Sequence, residues 1–323
     1  MNSKKNFWKD LKVPFFALAP MESVTDTVFR NLVKELSCPD VLFTEFVNTD
    51  GLCSRGKDGV IHRLKYKKQE KPIVAQLWGN NPLNYYKVAK DVLELGFDGI
   101  DINIGCSVPK VLKNNACGAL VNNPTLVKEI FLATKEAVKD VLPISIKTRL
   151  GYRKYDTEKW GEFLFLLNPN AITIHGRTVR STFASKANWD EIKKFVELKN
   201  IINKDIVIIG NGDVVSFEDG IKKQEYSKVD GIMIGRGAIT NPYIFKNVPK
   251  DYFLKMPLKD KVEILKKHGK MFNDFWQEEK DFRVMKRFYK TYFSGFDGAS
   301  DLRVKAMNIN TYKEFLEFLE KVV

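Results

Sequence analysis

Eight short runs rich in β-branched and apolar residues recur along the first three quarters of the chain, and this rhythm constrains the fold more than any other feature. They span 13–21, 41–47, 72–79, 99–106, 143–151, 171–177, 205–213 and 231–238. Their starts lie about 31 residues apart on average, the length of a strand plus a crossover helix. Most are followed by an amphipathic stretch of helical period. An open doubly wound sheet also alternates strands and helices, but eight units filling roughly 250 residues fit a (β/α)8 TIM barrel better. Gly210-Asn211-Gly212 and Gly235-Arg236-Gly237 lack the third glycine of a dinucleotide fingerprint, and neither lies in the first unit. Beyond Pro249 no strand-like run appears, and LKDKVEILKKHGKMFNDFW and TYKEFLEFLEKVV carry apolar residues at helical spacing. The expectation is an α/β protein with a TIM barrel over 1–248 and a small all-helical C-terminal domain over 249–323.

The 323 residues include 44% hydrophobic and 29% charged, a globular balance that excludes intrinsic disorder. No run approaches the roughly 18 uncharged apolar residues of a membrane span, and MNSKKNFWKDLK lacks an apolar signal core. A cytoplasmic protein without membrane association is expected. Four cysteines without a C-x-x-C pair suggest neither a disulfide scaffold nor a zinc site, so no metal is expected. Lys+Arg exceed Asp+Glu by 53 to 40, giving +13, and the surplus is diffuse, the stretch from Lys250 onward holding 16 against 12. That suits a polyanionic partner touching both domains, although many Lys-rich proteins bind none. No heptad pattern marks an oligomer interface, and a monomer is expected.

In a barrel the C-terminal strand ends line the active site. Here they present Met21 and Glu22, Glu45, Gln76, Asn103 with Cys106, Lys147 with Arg149, His175 with Arg177, Asn211 with Asp213, and Arg236. So polar a set suits an anionic cofactor and a polar heterocycle. Gly210, Gly212, Gly235 and Gly237 fall at the usual phosphate site, after strands seven and eight, or else simply turn the chain. Lys147, on the opposite side of its strand from Ile144 and Ile146, needs an acceptor: either a flavin edge that becomes negative on reduction or a carboxylate such as Glu45. His175 reads as a cofactor or substrate contact, or as a structural residue. Cys106 is a candidate thiol, mostly protonated at neutral pH if its pKa stays near 8.5, whereas a disulfide or simple packing with Cys117 is the bland alternative. Cys38 and Cys53 lie off the strand ends.

These strings, taken together, resemble the tRNA-dihydrouridine synthase family. APMESVTDTVFR is similar to its opening signature, VAQLWG to its third-strand motif and DINIGCSVPKVLKNNACGALVNNP to its active-site segment; ISIKTRLGY, ITIHGRT, IGNGDV and IMIGRGAITNPYIF follow in the family's order. The resemblance implies FMN as cofactor, NADPH as reductant and tRNA as substrate. Pro20, Met21, Glu22 and Gln76 would contact the isoalloxazine, with Lys147 and His175 near its polar edge and phosphate. Asn211, Gly212, Asp213, Gly235 and Arg236 would hold the ribityl phosphate. Asn103 and Arg149 would hold the target uracil, assisted by Arg180. Hydride would pass to uracil C6 while Cys106, matching the catalytic cysteine, protonates C5.

Two departures stand out. Ser107 follows the cysteine where the family usually has proline, which predicts a looser loop, and Lys286-Arg287-Phe288 replaces an Arg-Lys-His run. Lys286, Arg287 and Lys290, interleaved with Phe288, Tyr289 and Tyr292, are RNA contacts or the solvated face of an amphipathic helix. Two rival readings share the scaffold: a flavin oxidoreductase acting on a free pyrimidine or small unsaturated carbonyl compound, and a non-catalytic tRNA-binding protein.

Overall fold

The computed structural model describes residues 6–181 and 184–322. Its strands are β1 (Phe15–Leu18), β2 (Val41–Phe43), β3 (Val47–Asn48), β4 (Ile73–Trp78), β5 (Gly99–Ile104), β6 (Ile144–Arg149), β7 (Ala171–His175), β8 (Val207–Asn211) and β9 (Gly231–Ile234). Every pairing is parallel, and β2, which bonds β1 at one end of the strand order, also bonds β4 at the other, so the sheet closes. The predicted eight-stranded TIM barrel is the fold. Its second strand position differs in detail, because β2 and β3 both run along β4. Phe43 faces Val74 and Val47 faces Leu77, so one extra residue is accommodated between them. Such a bulge breaks the ladder and re-aims a side chain. Glu45 is at its centre.

Helices α1 (Thr27–Ser37), α2 (Pro82–Glu94), α3 (Pro124–Val138), α4 (Thr157–Leu167), α5 (Trp189–Ile202) and α6 (Phe217–Ser227) connect the strands outside the barrel. Local chemistry sets their starts. Asp26, Asn81, Asn123, Asn188 and Ser216 each accept from a first-turn N–H, and Pro82 and Pro124 follow two of these caps at the position where a missing N–H costs least. Inward and outward residues alternate along the strands. Phe16, Leu18, Ile100, Ile102, Ile144, Ile146, Ile172 and Ile174 face the helices, while Phe15, Ala17, Val41, Phe43, Val74, Ala171, Ile209 and Met233 fill the lower barrel over Trp8.

After Ile234 the described residues form no strand; α7 (Leu258–Trp276), α8 (Lys286–Tyr292), α9 (Ala299–Ala306) and α10 (Tyr312–Leu319) follow. They share one hydrophobic cluster with the barrel helices. Phe288 stacks on Phe29 of α1 with centroids 5.2 Å apart, Trp276 Nε1 donates to the cap carboxylate of Asp26 at 2.8 Å, and Thr291 Oγ1 donates to Ile239 O at 2.9 Å. The appended helices thus flank the loops after β1 and β9, at the barrel's C-terminal end. Beneath them a fully buried Arg30–Glu70 pair ties α1 to the segment before β4, with Asn31 also donating to Glu70 at 2.8 Å. No helix among the described residues is long and apolar enough to cross a membrane.

Candidate active site

Above the apolar floor the inner wall turns polar. The inward parity that places Ala171 and Val74 below places Gln76, Asp101, Asn103, Ser145, Lys147, Arg149, His175 and Asn211 above. Asp101 is not among the residues that the strand ends present. It lies one inward position below Asn103 on β5, fully buried, and the alternation of DINI is the signal that could have found it. Burial lifts its acid to about 6, held there by hydrogen bonds from Ser145 and Gln76 and by the Lys147 charge.

The loop after β5 carries Cys106, half-buried and free, as is the buried Cys117. There is no disulfide between them. Asn103 Oδ1 accepts from Gly105 N at 3.0 Å and Cys106 N at 3.1 Å, and Gly118 N donates to Cys106 O at 3.1 Å. Arg149, at the end of β6, spans the cysteine: its Nε donates to Gly105 O at 2.8 Å and its Nη2 to Ser107 Oγ at 3.2 Å, while Nη1 reaches Thr178 O at 2.8 Å. The serine that predicted a looser loop is therefore tethered. Asn103 and Arg149, expected on the substrate, spend most of their hydrogen bonds shaping this loop. The Cys106 thiol also departs from the expected ordinary acidity. A hydrogen bond from Cys117 brings it down to about 7 against the pull of burial, helped by Val108 N–H and the charges of Arg149 and Lys147.

A cluster of cations faces this loop. Lys147 Nζ lies 3.3 Å from Asn211 Oδ1, and burial together with Arg149 lowers it to about 8. The alternative pairing with Glu45 is not what Lys147 makes; Glu45 instead accepts from Ser23 N at 2.5 Å and faces Lys280 at 3.6 Å. Burial and the charges of Lys147, Arg149, Arg177 and Arg236 push His175 well below its ordinary range, so the ring is neutral. Its Nε2 is 2.9 Å from Arg177 Nη1, a donor only, which leaves the ring proton on Nδ1. Asp213 accepts from Arg177 Nη2 through both oxygens at 2.7 and 2.8 Å, from Ala187 N at 2.8 Å and from Arg236 Nη2 at 3.0 Å. The Asp213 carboxylate is thus paired with two arginines, Arg177 and Arg236.

Gly212, at φ +130°, would place a Cβ 2.6 Å from Ala187 Cβ, so only glycine fits beside His175. Gly235 is different. A Cβ there would sit in ordinary contact with Ala19 Cβ at 3.5 Å and Met21 Sδ at 3.6 Å, so close packing does not demand glycine at this end of β9. Pro20 and Met21 are half-buried after β1, and Glu22 turns outward to Arg63 at 2.7 Å. This polar end of the barrel, the chamber, gathers the cations Lys147, Arg149, Arg177 and Arg236 against the carboxylates Asp101 and Asp213, beside the Cys106 thiol.

The other expected contacts lie outside the chamber. Arg180 is exposed, its guanidinium 5.4 Å from the Tyr152 ring centroid. On α8, Phe288, Tyr289 and Tyr292 are buried in the core and offer no platform to a base, while Lys290 is exposed. Lys286 Nζ donates to Asn310 Oδ1 at 2.9 Å, and Arg287 donates to Ser23 O in the loop after β1. The amphipathic reading of α8 therefore describes its aromatic residues.

The chain resembles known proteins over nearly its whole length. It is 40% identical to a probable tRNA-dihydrouridine synthase 2 of Bacillus subtilis over 321 residues, covering 98% of this chain and 96% of that protein. It is 37% identical to a probable tRNA-dihydrouridine synthase of Staphylococcus aureus, with the same coverage. Among solved structures it resembles histamine dehydrogenase from a Rhizobium species (TM-score 0.55, 14% identity, 84% of this chain and 51% of that one). It also resembles 6-hydroxypseudooxynicotine amine oxidase from Pseudomonas geniculata (TM-score 0.51, 12% identity, 71% and 46%). The chain spans about half of each of these two structures, and they share its fold. Residues 17–323 match the family described as dihydrouridine synthase, and the chain belongs to that family.

Proposed function

We propose that this protein is a cytoplasmic enzyme that reduces the C5=C6 bond of uridine in tRNA to 5,6-dihydrouridine, with FMN as cofactor and NADPH as reductant. The observation that carries the reading is the juxtaposition of a half-buried, acidified thiol, Cys106, with a chamber of surplus positive charge in one barrel mouth. The cations Arg177 and Arg236 beside Gly235 suit a phosphate, and Lys147 suits a ring edge that gains negative charge. Gln76, Asn211, Pro20, Met21 and neutral His175 would complete the cofactor's surroundings, and Gly212 and Asp213 would shape its phosphate end.

When bound, the flavin supplies the hydride that uracil C6 requires, and NADPH replenishes it. Cys106 gives its proton to C5, completing the addition of one hydride and one proton across the double bond. The thiolate left behind is stabilised by the Cys117 thiol, Val108 N–H and Arg149. Arg149 and the remaining Nδ2 hydrogen of Asn103 face charge developing on the uracil carbonyls. The base must leave its stack to reach this depth, at a cost of a few kcal/mol that a flexible loop reduces. Exposed Lys110, Lys113, Arg153, Lys154, Arg180 and Lys186 on the loops after β5, β6 and β7 would hold phosphates around the mouth. The barrel would thus do the chemistry, and the segment over 249–323, with Lys290, Lys286 and Arg287, would help orient the tRNA.

The test is nucleoside analysis of tRNA after incubation with purified protein, FMN and NADPH, starting from tRNA of a strain lacking dihydrouridine. New dihydrouridine is expected, and none with Cys106→Ala. Reduction of free uracil with tRNA left untouched would overturn the reading.

A further inference from the structure

One line of side-chain hydrogen bonds rises from the barrel interior to the loop that carries Cys106. Ser145 Oγ donates to Asp101 Oδ1 at 2.6 Å, and Gln76 Nε2 donates to Asp101 Oδ2 at 2.7 Å. Asn103 Nδ2 donates to Gln76 Oε1 at 3.0 Å, and Asn103 Oδ1 accepts from the backbone N–H of Gly105 and Cys106 at 3.0 and 3.1 Å. Gln76, Asp101, Asn103 and Ser145 are all buried. Water therefore offers little substitute if a link is lost.

The chain has a direction. A primary amide can turn over, exchanging donor for acceptor with almost no change in shape. Both ends of this line forbid it. A carboxylate only accepts, and a backbone N–H only donates. Gln76 must therefore offer Nε2 to Asp101, which turns its Oε1 to Asn103. Asn103 must answer with Nδ2, which leaves Oδ1 for the two loop amides. Reversing either amide sets donor against donor in a buried site and orphans the groups at the far end. The Lys147 charge, within electrostatic reach of Asp101, supports the ionised form on which the direction depends.

We propose that Asp101 is a positioning residue for Cys106: acting through Gln76 and Asn103, it sets the direction of the amide chain that holds the Gly105–Cys106 backbone. Its importance for turnover rests on Cys106 being the proton donor. Its effect on the loop does not.

Amide hydrogen exchange on the purified full chain, without tRNA or flavin, reads that effect directly. Asp101→Leu removes the anchor, and Gln76→Met removes the middle link while leaving Asp101 and Asn103 in place. In both, exchange at Gly105 and Cys106 should accelerate by roughly tenfold or more, with β8 and β9 amides unchanged. Asp101→Asn can keep the direction, its Oδ1 accepting from Gln76 while its Nδ2 donates to Ser145 Oγ. It should stay within about threefold of the parent protein. Parent-like protection in Gln76→Met would overturn the relay, and equal loss in Asp101→Asn and Asp101→Leu would overturn the directional anchor. Should Asp101→Leu not fold, the other two variants decide. Failure of the exchange test leaves tRNA reduction untouched, and failure of tRNA reduction leaves the exchange rates as they are.

Discussion

Arg149 and Ser107 are joined by a 3.2 Å hydrogen bond across Cys106, with the same guanidinium holding Gly105 O at 2.8 Å on the other side. A proline after the cysteine would restrain the backbone through its ring. Here a hydroxyl restrains it through an arginine. Ser107→Ala removes one link, worth about 1 kcal/mol, and should slow single-turnover reduction by roughly fivefold. Ser107→Pro should recover most of that loss. An unchanged rate in Ser107→Ala would mean that the tether does not aim the thiol.

The acidity of Cys106 fixes a pH dependence. With its pKa near 7, the thiol that donates a proton is depleted as pH rises through 7, so single-turnover reduction should fall about tenfold per unit above it. Alkylation of the protein without tRNA should show the mirror image, its rate rising to a plateau with a midpoint near 7. Arg149→Met withdraws a charge that favours the thiolate and should move both midpoints upward. An alkylation midpoint near 8.5 in the parent protein would contradict the Cys117 and Arg149 contacts as the source of the acidity.

The barrel was legible because a period of one strand plus one helix cannot be hidden by side-chain choice, and the inward parity of each strand follows from it. The bulge between β2 and β3 was not, because one extra residue in a run such as VLFTEFV leaves the hydrophobic pattern intact. The strand ends named most of the chamber, since a charge at the end of an apolar run must meet water, a partner or a ligand. What the chain order could not give was the partner of each group. Lys147 and Glu45 are inward residues of opposite charge, yet Lys280, more than two hundred residues away, claims Glu45. Likewise Asp213 stands within a glycine-rich stretch that reads as a phosphate cradle, and only the approach of Arg177 and Arg236 reveals what its carboxylate does.

The exposed cations around the barrel mouth should be visible in the salt dependence of tRNA binding. Arg153 and Lys154 lie on the loop after β6, exposed and beside the chamber. Each phosphate left without its cation should flatten the slope of log affinity against log salt by roughly one, so the double alanine variant should lose about two. Lys222 on α6 is already paired with Glu218 at 2.6 Å, and Lys222→Ala should leave the slope alone. Equal slopes for all three proteins would place the RNA elsewhere.

Lys280 is the strut between the appended helices and the barrel mouth. Its ammonium lies 3.3 Å from Asp26 and 3.6 Å from Glu45, over the Trp276 ring at 3.9 Å from the centroid. Asp26 has other donors in Trp276 Nε1 and Phe29 N, but Glu45 Oε2 is buried without a hydrogen bond and depends on this charge. Burial raises the Glu45 acid, and Lys280 restrains the rise. Lys280→Met should therefore push Glu45 higher still. A carboxyl whose pKa is raised on folding takes up a proton, so its penalty is small below its unfolded value near 4.3 and grows as pH rises through the folded value. The variant should lose about 2 kcal/mol at pH 7 in urea unfolding and clearly less at pH 5. Adding Glu45→Gln should return much of the neutral-pH loss, because the uncompensated charge is gone. The same loss at both pH values, with no recovery from Glu45→Gln, would show that Lys280 holds the helices by packing on Trp276 alone.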